Sequence, residues 1–225
     1  MCGRYGQYSR KERLEELLDL KYSTGGDKSA KYNIAPGTYP WIVRRHAEHN
    51  PSFEGYHWGL IPSWTKDLKV GPHPINARAE TASTKLMFRR LLSAKRCLVP
   101  ADGYYEWKKT PTGKIPHWIR MADESPFFFA GLWDWWHEKD PDGIPSFTIL
   151  TTDANELTMP IHNRMPVIVR KEDYNLWLDP LLTDTTRVES VLRPYDGSRM
   201  TAYPVSAKVN NVKNDGPELI KPANL

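Results

Sequence analysis

The sequence predicts an α+β protein with a curved or barrel-like, mostly antiparallel sheet and short helices at its periphery. Strand-like segments crowd the middle of the chain, separated by turn residues such as those at 111–113 and 141–143. Aromatic residues form 12% of the composition, which is typical of a β-rich core. Helical patterns are short and scattered, unlike the strand–helix alternation of a doubly wound fold. The 225 residues contain no repeat or long linker, so we expect one domain over residues 1–225.

The N-terminal half predicts short elements. Residues 9–20 predict a helix, because Ser9 can cap its start, Glu12 completes a capping box and leucines follow at helical spacing. Gly25-Gly26 then breaks the chain, and residues 31–37 are expected to form a loop. We expect strands at 40–44 and 53–60, a proline-rich loop at 61–74, an extended segment at 75–80 and a helix at 84–93.

The C-terminal half is denser in strands. They are expected at 97–100, 104–108, 117–121, 127–135, 146–152, 165–169 and 200–205. Short helices are expected at 155–161, 171–178 and 185–192. Cys97 falls in the first of these strands and is expected to be buried.

Composition excludes several protein classes. No stretch approaches the roughly eighteen apolar residues of a membrane span, and the N-terminus lacks the apolar core of a secretory signal. Two cysteines are too few for a disulfide framework, so a cytoplasmic, reduced protein is expected. The net charge of +4 is compatible with nucleic-acid binding without demonstrating it.

Motifs for metals and common cofactors are missing from the sequence. It contains no C-x-x-C pair, no H-E-x-x-H, no glycine-rich phosphate loop and no G-x-S-x-G. We therefore expect neither a metal nor a cofactor.

Cys2 stands directly behind the start methionine. If Met1 is removed, Cys2 carries a free amine and a thiol on adjacent carbons. The amine can form a Schiff base with an aldehyde, and the thiol can then close a five-membered ring on the same carbon. Position alone favours a chance cysteine on a frayed terminus, and the rest of the chain reverses that preference.

Three more polar segments are candidates for chemistry. If 75–80 is extended, Asn76, Arg78 and Glu80 share a face that suits a phosphate or sugar, or simply faces solvent. Glu106 lies between two aromatic residues, where desolvation would suit acid–base work, although a cross-strand salt bridge to a lysine is the commoner use. His162 lies in a turn bracketed by prolines, which suits a cleft rim or a structural role.

These segments, taken together, resemble the SOS-response-associated peptidase (SRAP) family of abasic-site processing proteins. The resemblance covers nearly the whole chain in the family's order. It is carried by CGRY at 2–5, YNIAPG at 32–37, WGLIPSW at 58–64, NARAET at 76–81, PADGYYEW at 100–107, HNRMP at 162–166 and VNNVKNDG at 209–216.

The resemblance implies a protein that binds single-stranded DNA and links covalently to abasic sites. It implies that Cys2 is the nucleophile, that Asn76 positions the lesion, and that Glu106 and His162 handle protons. It further implies that three arginines contact DNA phosphates: Arg4, Arg78 and Arg164. It places Asn33 and Trp64 near the DNA channel. The expected partner is single-stranded DNA with abasic sites, the expected state a monomer, and the expected location the cytoplasm, at the nucleoid in a bacterial host.

Two other function classes compete with this interpretation. An N-terminal-cysteine peptidase or amidohydrolase would use Cys2 with Glu106 or His162 as its base. A non-covalent single-strand DNA-binding module would use the arginines and Trp64 without catalysis.

Overall fold

Two curved β-sheets organise the computed structural model, which describes residues 2–20, 23–24, 28–46, 50–138 and 140–223. The expected break at Gly25-Gly26 and the start residue Met1 lie outside the described residues. The strands are β1 (Tyr5–Gln7), β2 (Lys31–Ile34), β3 (Trp41–Arg44), β4 (Ser52–Gly55), β5 (His57–Trp58), β6 (Asn76–Arg78), β7 (Arg96–Ala101), β8 (Gly103–Thr110), β9 (Gly113–Met121), β10 (Phe127–Trp136), β11 (Ile144–Asp153), β12 (Arg164–Pro166), β13 (Ile168–Val169) and β14 (Met200–Pro204).

The smaller sheet has the strand order β14-β9-β8-β1-β2. The larger sheet has the order β12-β11-β10-β7-β3-β4, with β13 on β10 and with β5 and β6 running parallel to β11. All other strand pairs are antiparallel. The predicted fold class is therefore confirmed, and the sheet is mixed only around β11.

Period-two alternation in the large sheet divides its side chains between two cores. One face, with Cys97, Val99 and Phe129, packs against residues of the smaller sheet such as Tyr5 and Tyr104. The opposite face, with Leu98, Phe128 and Ala130, packs under the helices. The first of these cores, between the sheets, is called the inner core below.

The helices are short and peripheral, as expected. They are α1 (Lys11–Leu17), α2 (Ala79–Ala82), α3 (Leu86–Ala94), α4 (Tyr174–Leu178) and α5 (Thr185–Glu189), with 3-10 turns at Lys171–Asp173, Gly197–Arg199, Ala207–Asn210 and Pro217–Ile220. The α3 helix buries Phe88, Leu91 and Leu92 and leaves Leu86 exposed.

The predicted capping box at Ser9 is wrong. The α1 helix begins at Lys11, after Arg10, and no side chain caps it. The Ser9 hydroxyl donates instead to Asp102, which also accepts the backbone N–H groups of Ser9 at 2.9 Å and Tyr8 at 2.6 Å. The Ser9 hydroxyl, which the local pattern predicts as a helix cap, is therefore bonded to a carboxylate that is distant in sequence.

Three further expectations need correction. The expected loop at 31–37 begins with β2, which pairs with β1. The segment at 75–80 is extended only to Arg78 and then turns into α2, so Glu80 does not continue the strand face of Asn76 and Arg78. The expected helix at 155–161 is a series of turns, in which the Asn155 side chain accepts both the N–H and the hydroxyl of Thr158 at 2.9 Å.

Candidate active site

Cys2 lies fully buried in the inner core, just before β1. The backbone N–H of Arg4 donates a hydrogen bond to its sulfur. Burial, and next the negative charge of Glu106, raise the pKa of the Cys2 thiol far above its usual range. The sulfur is therefore held as a neutral thiol, and a proton acceptor must act before it can attack as a nucleophile.

Glu106 lies on β8 and is only 4% exposed. Because β8 alternates, Tyr104 and Glu106 face inward, whereas Tyr105 packs on the outer face with Trp107 against it. The residue opposite Glu106 on β9 is His117 rather than a lysine. Tyr104, two residues before Glu106 on the same face, packs in the core that contains Cys2, so the Glu106 carboxylate faces that core.

Asn76 reaches the same region from the parallel strand β6, where it is the register partner of Ile149. Its Nδ2 lies 3.5 Å from the Ile149 carbonyl oxygen. Its Oδ1 is buried and accepts no hydrogen bond from any described residue. Because it is buried and has no donor, the Asn76 Oδ1 atom is suited to accept a hydrogen bond from a bound ligand.

His162 lies in the turn between β11 and β12. Its Nδ1 accepts the backbone N–H of Arg164 at 3.0 Å, so the proton of the neutral ring is on Nε2. Ile75 and Ile161, the sequence neighbours of Asn76 and His162, both pack against the inner core that contains Cys2. The chain segments that carry Asn76 and His162 therefore border the core that contains Cys2.

Arg164 is the centre of an ion-pair cluster. Its guanidinium donates to Asp153 at 2.8 Å, to Glu80 through both terminal nitrogens and to the Thr151 carbonyl at 2.6 Å. The hydrogen bonds that Arg164 donates to Glu80, followed by the charges of both carboxylates, raise the pKa of Arg164. Its charge is therefore matched within the protein, and a phosphate would have to displace or share a carboxylate.

Arg4 and Asn33 lie on the outer face of the smaller sheet. The Arg4 guanidinium donates to Asn33 Oδ1 and to the Val209 carbonyl, each at 2.7 Å, and lies 5.9 Å from the Trp107 ring centre. The Asn33 amide donates to the carbonyls of Val209, Asn211 and Asn214 at 3.3, 3.2 and 2.8 Å. Both side chains hold the segment 209–214 against the sheet.

Arg78 and Trp64 are the exposed members of the predicted site. Arg78 ends β6 and makes no ion pair with any described residue, although its charge helps to lower the pKa of Glu80. Trp64 is 61% exposed and lines a cavity of about 210 Å³ with residues of α3 and with Lys95. A stacking surface and a free cation are the features that unpaired bases and phosphates require.

Sequence reasoning missed several residues around these side chains. Glu80 was expected to share a strand face with Arg78, and Asp153 and Thr151 were not singled out, yet all three hold Arg164. Tyr104 was also overlooked, although a period of two from Glu106 places it on the same face of β8. The strand pattern therefore contained a signal for Tyr104 but none for the carboxylates, which meet Arg164 only in three dimensions.

Comparison with known proteins decides the family. The model of the SOS response associated peptidase (SRAP) family matches residues 1–212. The chain belongs to the SRAP family. It is 42% identical to the abasic site processing protein YoqW of Bacillus subtilis, over 98% of this chain and 99% of YoqW. It is 34% identical to the abasic site processing protein YedK of Escherichia coli, over 99% of this chain and 100% of YedK.

A solved structure shares the fold of this chain. A crystal structure of a protein from Bacteroides thetaiotaomicron superimposes with a TM-score of 0.84 at 29% identity, covering 99% of this chain and 100% of that one. Among the described residues of this SRAP chain, no helix is long and apolar enough to cross a membrane. The same residues contain no cluster of histidine, cysteine and carboxylate groups that could hold a metal.

Proposed function

We propose that this protein processes abasic sites in DNA, as the names of its relatives state for them. More specifically, it binds single-stranded DNA and captures the opened sugar of an abasic site on Cys2 after removal of Met1. The observation that carries the proposal is that a chain of this family buries the Cys2 thiol in the inner core and buries the Glu106 carboxylate on the strand face that lines this core.

The chemistry needs only the residues of the inner core. An abasic deoxyribose opens to an aldehyde at C1′, and the Cys2 amine adds to it and loses water to form an imine. Glu106 accepts a proton from the amine, and the Nε2–H of His162 supports the oxygen released from the sugar ring. Asn76, with its buried acceptor oxygen, hydrogen-bonds the sugar.

Ring closure then makes the product stable. The S–H of Cys2 adds across the imine: the S–C1′ bond forms, the C=N π bond breaks, and the thiol proton ends on nitrogen. An imine left open hydrolyses, or promotes elimination of the 3′ phosphate and breaks the strand. The thiazolidine has no C=N bond, so it shields the lesion from strand cleavage.

DNA is held by cationic and aromatic side chains around this core. Arg78 and Trp64 are placed to contact a phosphate and a base directly, because both are exposed. Arg4, Asn33 and Arg164 are proposed to border the channel, and each would exchange a protein partner for a phosphate. Such contacts release counterions, so affinity falls steeply with salt.

The test compares the two cysteines. Protein with Met1 removed, mixed with single-stranded DNA carrying an abasic site, should give a conjugate that survives denaturation and is visible by intact mass. Cys2→Ala should abolish it. Cys97→Ala is the matched control, because Cys97 is also fully buried in the inner core but is placed in β7, away from the chain start. It should retain the conjugate.

Other outcomes would favour the competing functions. A conjugate that persists in full with Cys2→Ala would disprove the covalent mechanism. DNA affinity without any conjugate in the wild type would indicate a non-covalent binding module. Cleavage of peptides in trans, lost with Cys2→Ala, would indicate a peptidase.

A further inference from the structure

Two tyrosines of the inner core carry hydroxyl groups that make no hydrogen bond with any described residue. They are Tyr5 and Tyr104, each with 0% exposure. A buried donor without a partner destabilises the fold, so its retention requires an explanation. In this chain both hydroxyls lie in the same core as the Cys2 thiol.

The two rings form a fixed pair. Tyr5 on β1 and Tyr104 on β8 are register partners, so their side chains stand on the same face of the smaller sheet. Both rings meet Phe129 edge-on, at centroid distances of 5.8 and 6.0 Å. Their positions are thus set by packing, and neither hydroxyl can leave the core without a strand moving.

The surroundings of the two hydroxyls differ. Tyr104 is two residues before Glu106 on the same inward face of β8, and, beyond burial, the charges of Cys2 and Glu106 raise the pKa of Tyr104. Tyr5 lies on β1, and for it the corresponding charges are those of Cys2 and Cys97. Tyr104 is therefore the tyrosine that shares a strand face with the carboxylate that receives the thiol proton.

We propose that the Tyr104 hydroxyl donates a hydrogen bond to the Cys2 sulfur during ring closure and so acts as a further catalytic residue of the thiazolidine step. The inference rests on the proposed function. As the thiol proton passes to Glu106 and then to the imine nitrogen, negative charge develops on a buried sulfur. The Arg4 N–H already donates to that sulfur, and Tyr104 supplies a second donor.

The donor stabilises the transition state more than either end state. Before reaction the neutral thiol is a weak acceptor, and in the product the sulfur is a thioether, also a weak acceptor. Charge is present on sulfur only in between. A pre-placed hydroxyl at this point lowers the barrier without strengthening ground-state binding.

The experiment separates the imine step from ring closure. Protein and abasic single-stranded DNA are mixed and quenched over time, with or without borohydride. Borohydride reduces the imine to an amine that is heavier by two hydrogens than the thiazolidine conjugate, so intact mass distinguishes them. Tyr104→Phe should form imine at the wild-type rate and close the ring about tenfold to hundredfold more slowly, as expected for one hydrogen bond to a charged group.

Tyr5→Phe is the matched control. It removes the same atom from the register partner, and ring closure should stay within about twofold of wild type. Equal slowing by both variants would overturn the proposal, as would a wild-type closure rate in Tyr104→Phe. The proposal would also be overturned if Tyr104→Phe formed neither the imine adduct nor the thiazolidine conjugate. A wild type that forms neither species would instead refute the proposed function itself.

Discussion

At the residue scale, Arg78 and Arg164, two arginines of the predicted DNA-binding set, have different surroundings. Arg78 is exposed and has no ion pair with a described residue, whereas Arg164 is bound by Glu80 and Asp153. A cation already paired in this way contributes less to phosphate binding, because its partner must first be displaced. We therefore expect the two arginines to separate DNA binding from stability.

Substitution by glutamine tests this. Arg78→Gln should weaken DNA binding and reduce the slope of log affinity against log salt by about 0.7, the value for one phosphate contact on a single strand, with unchanged Tm. Arg164→Gln should lower Tm by about 3–10 °C, because it leaves Glu80, Asp153 and the Thr151 carbonyl without their donor. Salt titrations of DNA binding and thermal melts of the two variants test this. If Arg164→Gln kept its Tm and reduced the salt slope by the full value of about 0.7, the assignment of Arg164 to stability would be contradicted.

At this scale the sequence predicts the candidate site residues but not the side chains that bond to them in the folded protein. The motifs predicted Cys2, Asn76, Glu106 and His162; the structure buries Cys2 in the inner core, and the segments of the other three border that core. Their roles stay predictions. What the sequence could not contain is the identity of groups that meet only after folding, such as Asp153 with Arg164.

At the element scale, the segment 209–214 closes the outer face of the smaller sheet. Val209 is buried with Tyr105 and Trp118, and the Asn33 amide donates to three carbonyls of the segment. One side chain of β2 therefore holds this irregular segment at three carbonyls, and Arg4 holds it at the Val209 carbonyl as well. This arrangement explains why a buried asparagine is tolerated in a strand.

Asn33→Ala should release that segment. We expect a loss of about 1–3 kcal/mol in the free energy of unfolding and faster hydrogen exchange confined to residues 206–216. Asn175→Ala is the control, since Asn175 is exposed and only accepts a hydrogen bond from Arg45, so its loss should change stability by less than about 0.5 kcal/mol. Unchanged exchange in 206–216 would show that Asn33 does not hold the segment.

The accuracy of the element predictions followed the length of each pattern. Long alternating runs such as β10 and β11 were predicted nearly to their ends. The four-residue β2 was taken for a loop, because its strand character depends on pairing with β1. The predicted cap at Ser9 is wrong because the Ser9 hydroxyl donates to Asp102, which is distant in sequence.

At the scale of the whole molecule, the inner core joins the two sheets. Tyr5 and Tyr104 of the smaller sheet share it with Val99 and Phe129 of the larger one. A core shared in this way cannot be lost from one sheet while the other keeps its packing. This supports the prediction of one domain over residues 1–225.

Calorimetry can test that prediction. We expect one thermal transition whose calorimetric enthalpy equals the van't Hoff enthalpy. A ratio near two, or two resolved transitions, would mean that the sheets unfold as separate units. Cys97→Ala, which removes an atom from the shared core, should shift the whole transition rather than part of it.

One residue connects the two faces of the smaller sheet. The backbone N–H of Arg4 donates to the Cys2 sulfur on the inner face, and the Arg4 guanidinium donates to the Val209 carbonyl on the outer face. Cys2 is therefore tethered, through a single amino acid, to a stretch of chain some two hundred positions away. Loss of the contacts between that distant segment and the sheet would loosen the backbone that holds Cys2, so capture depends on the outer face of the smaller sheet as well as on the inner core.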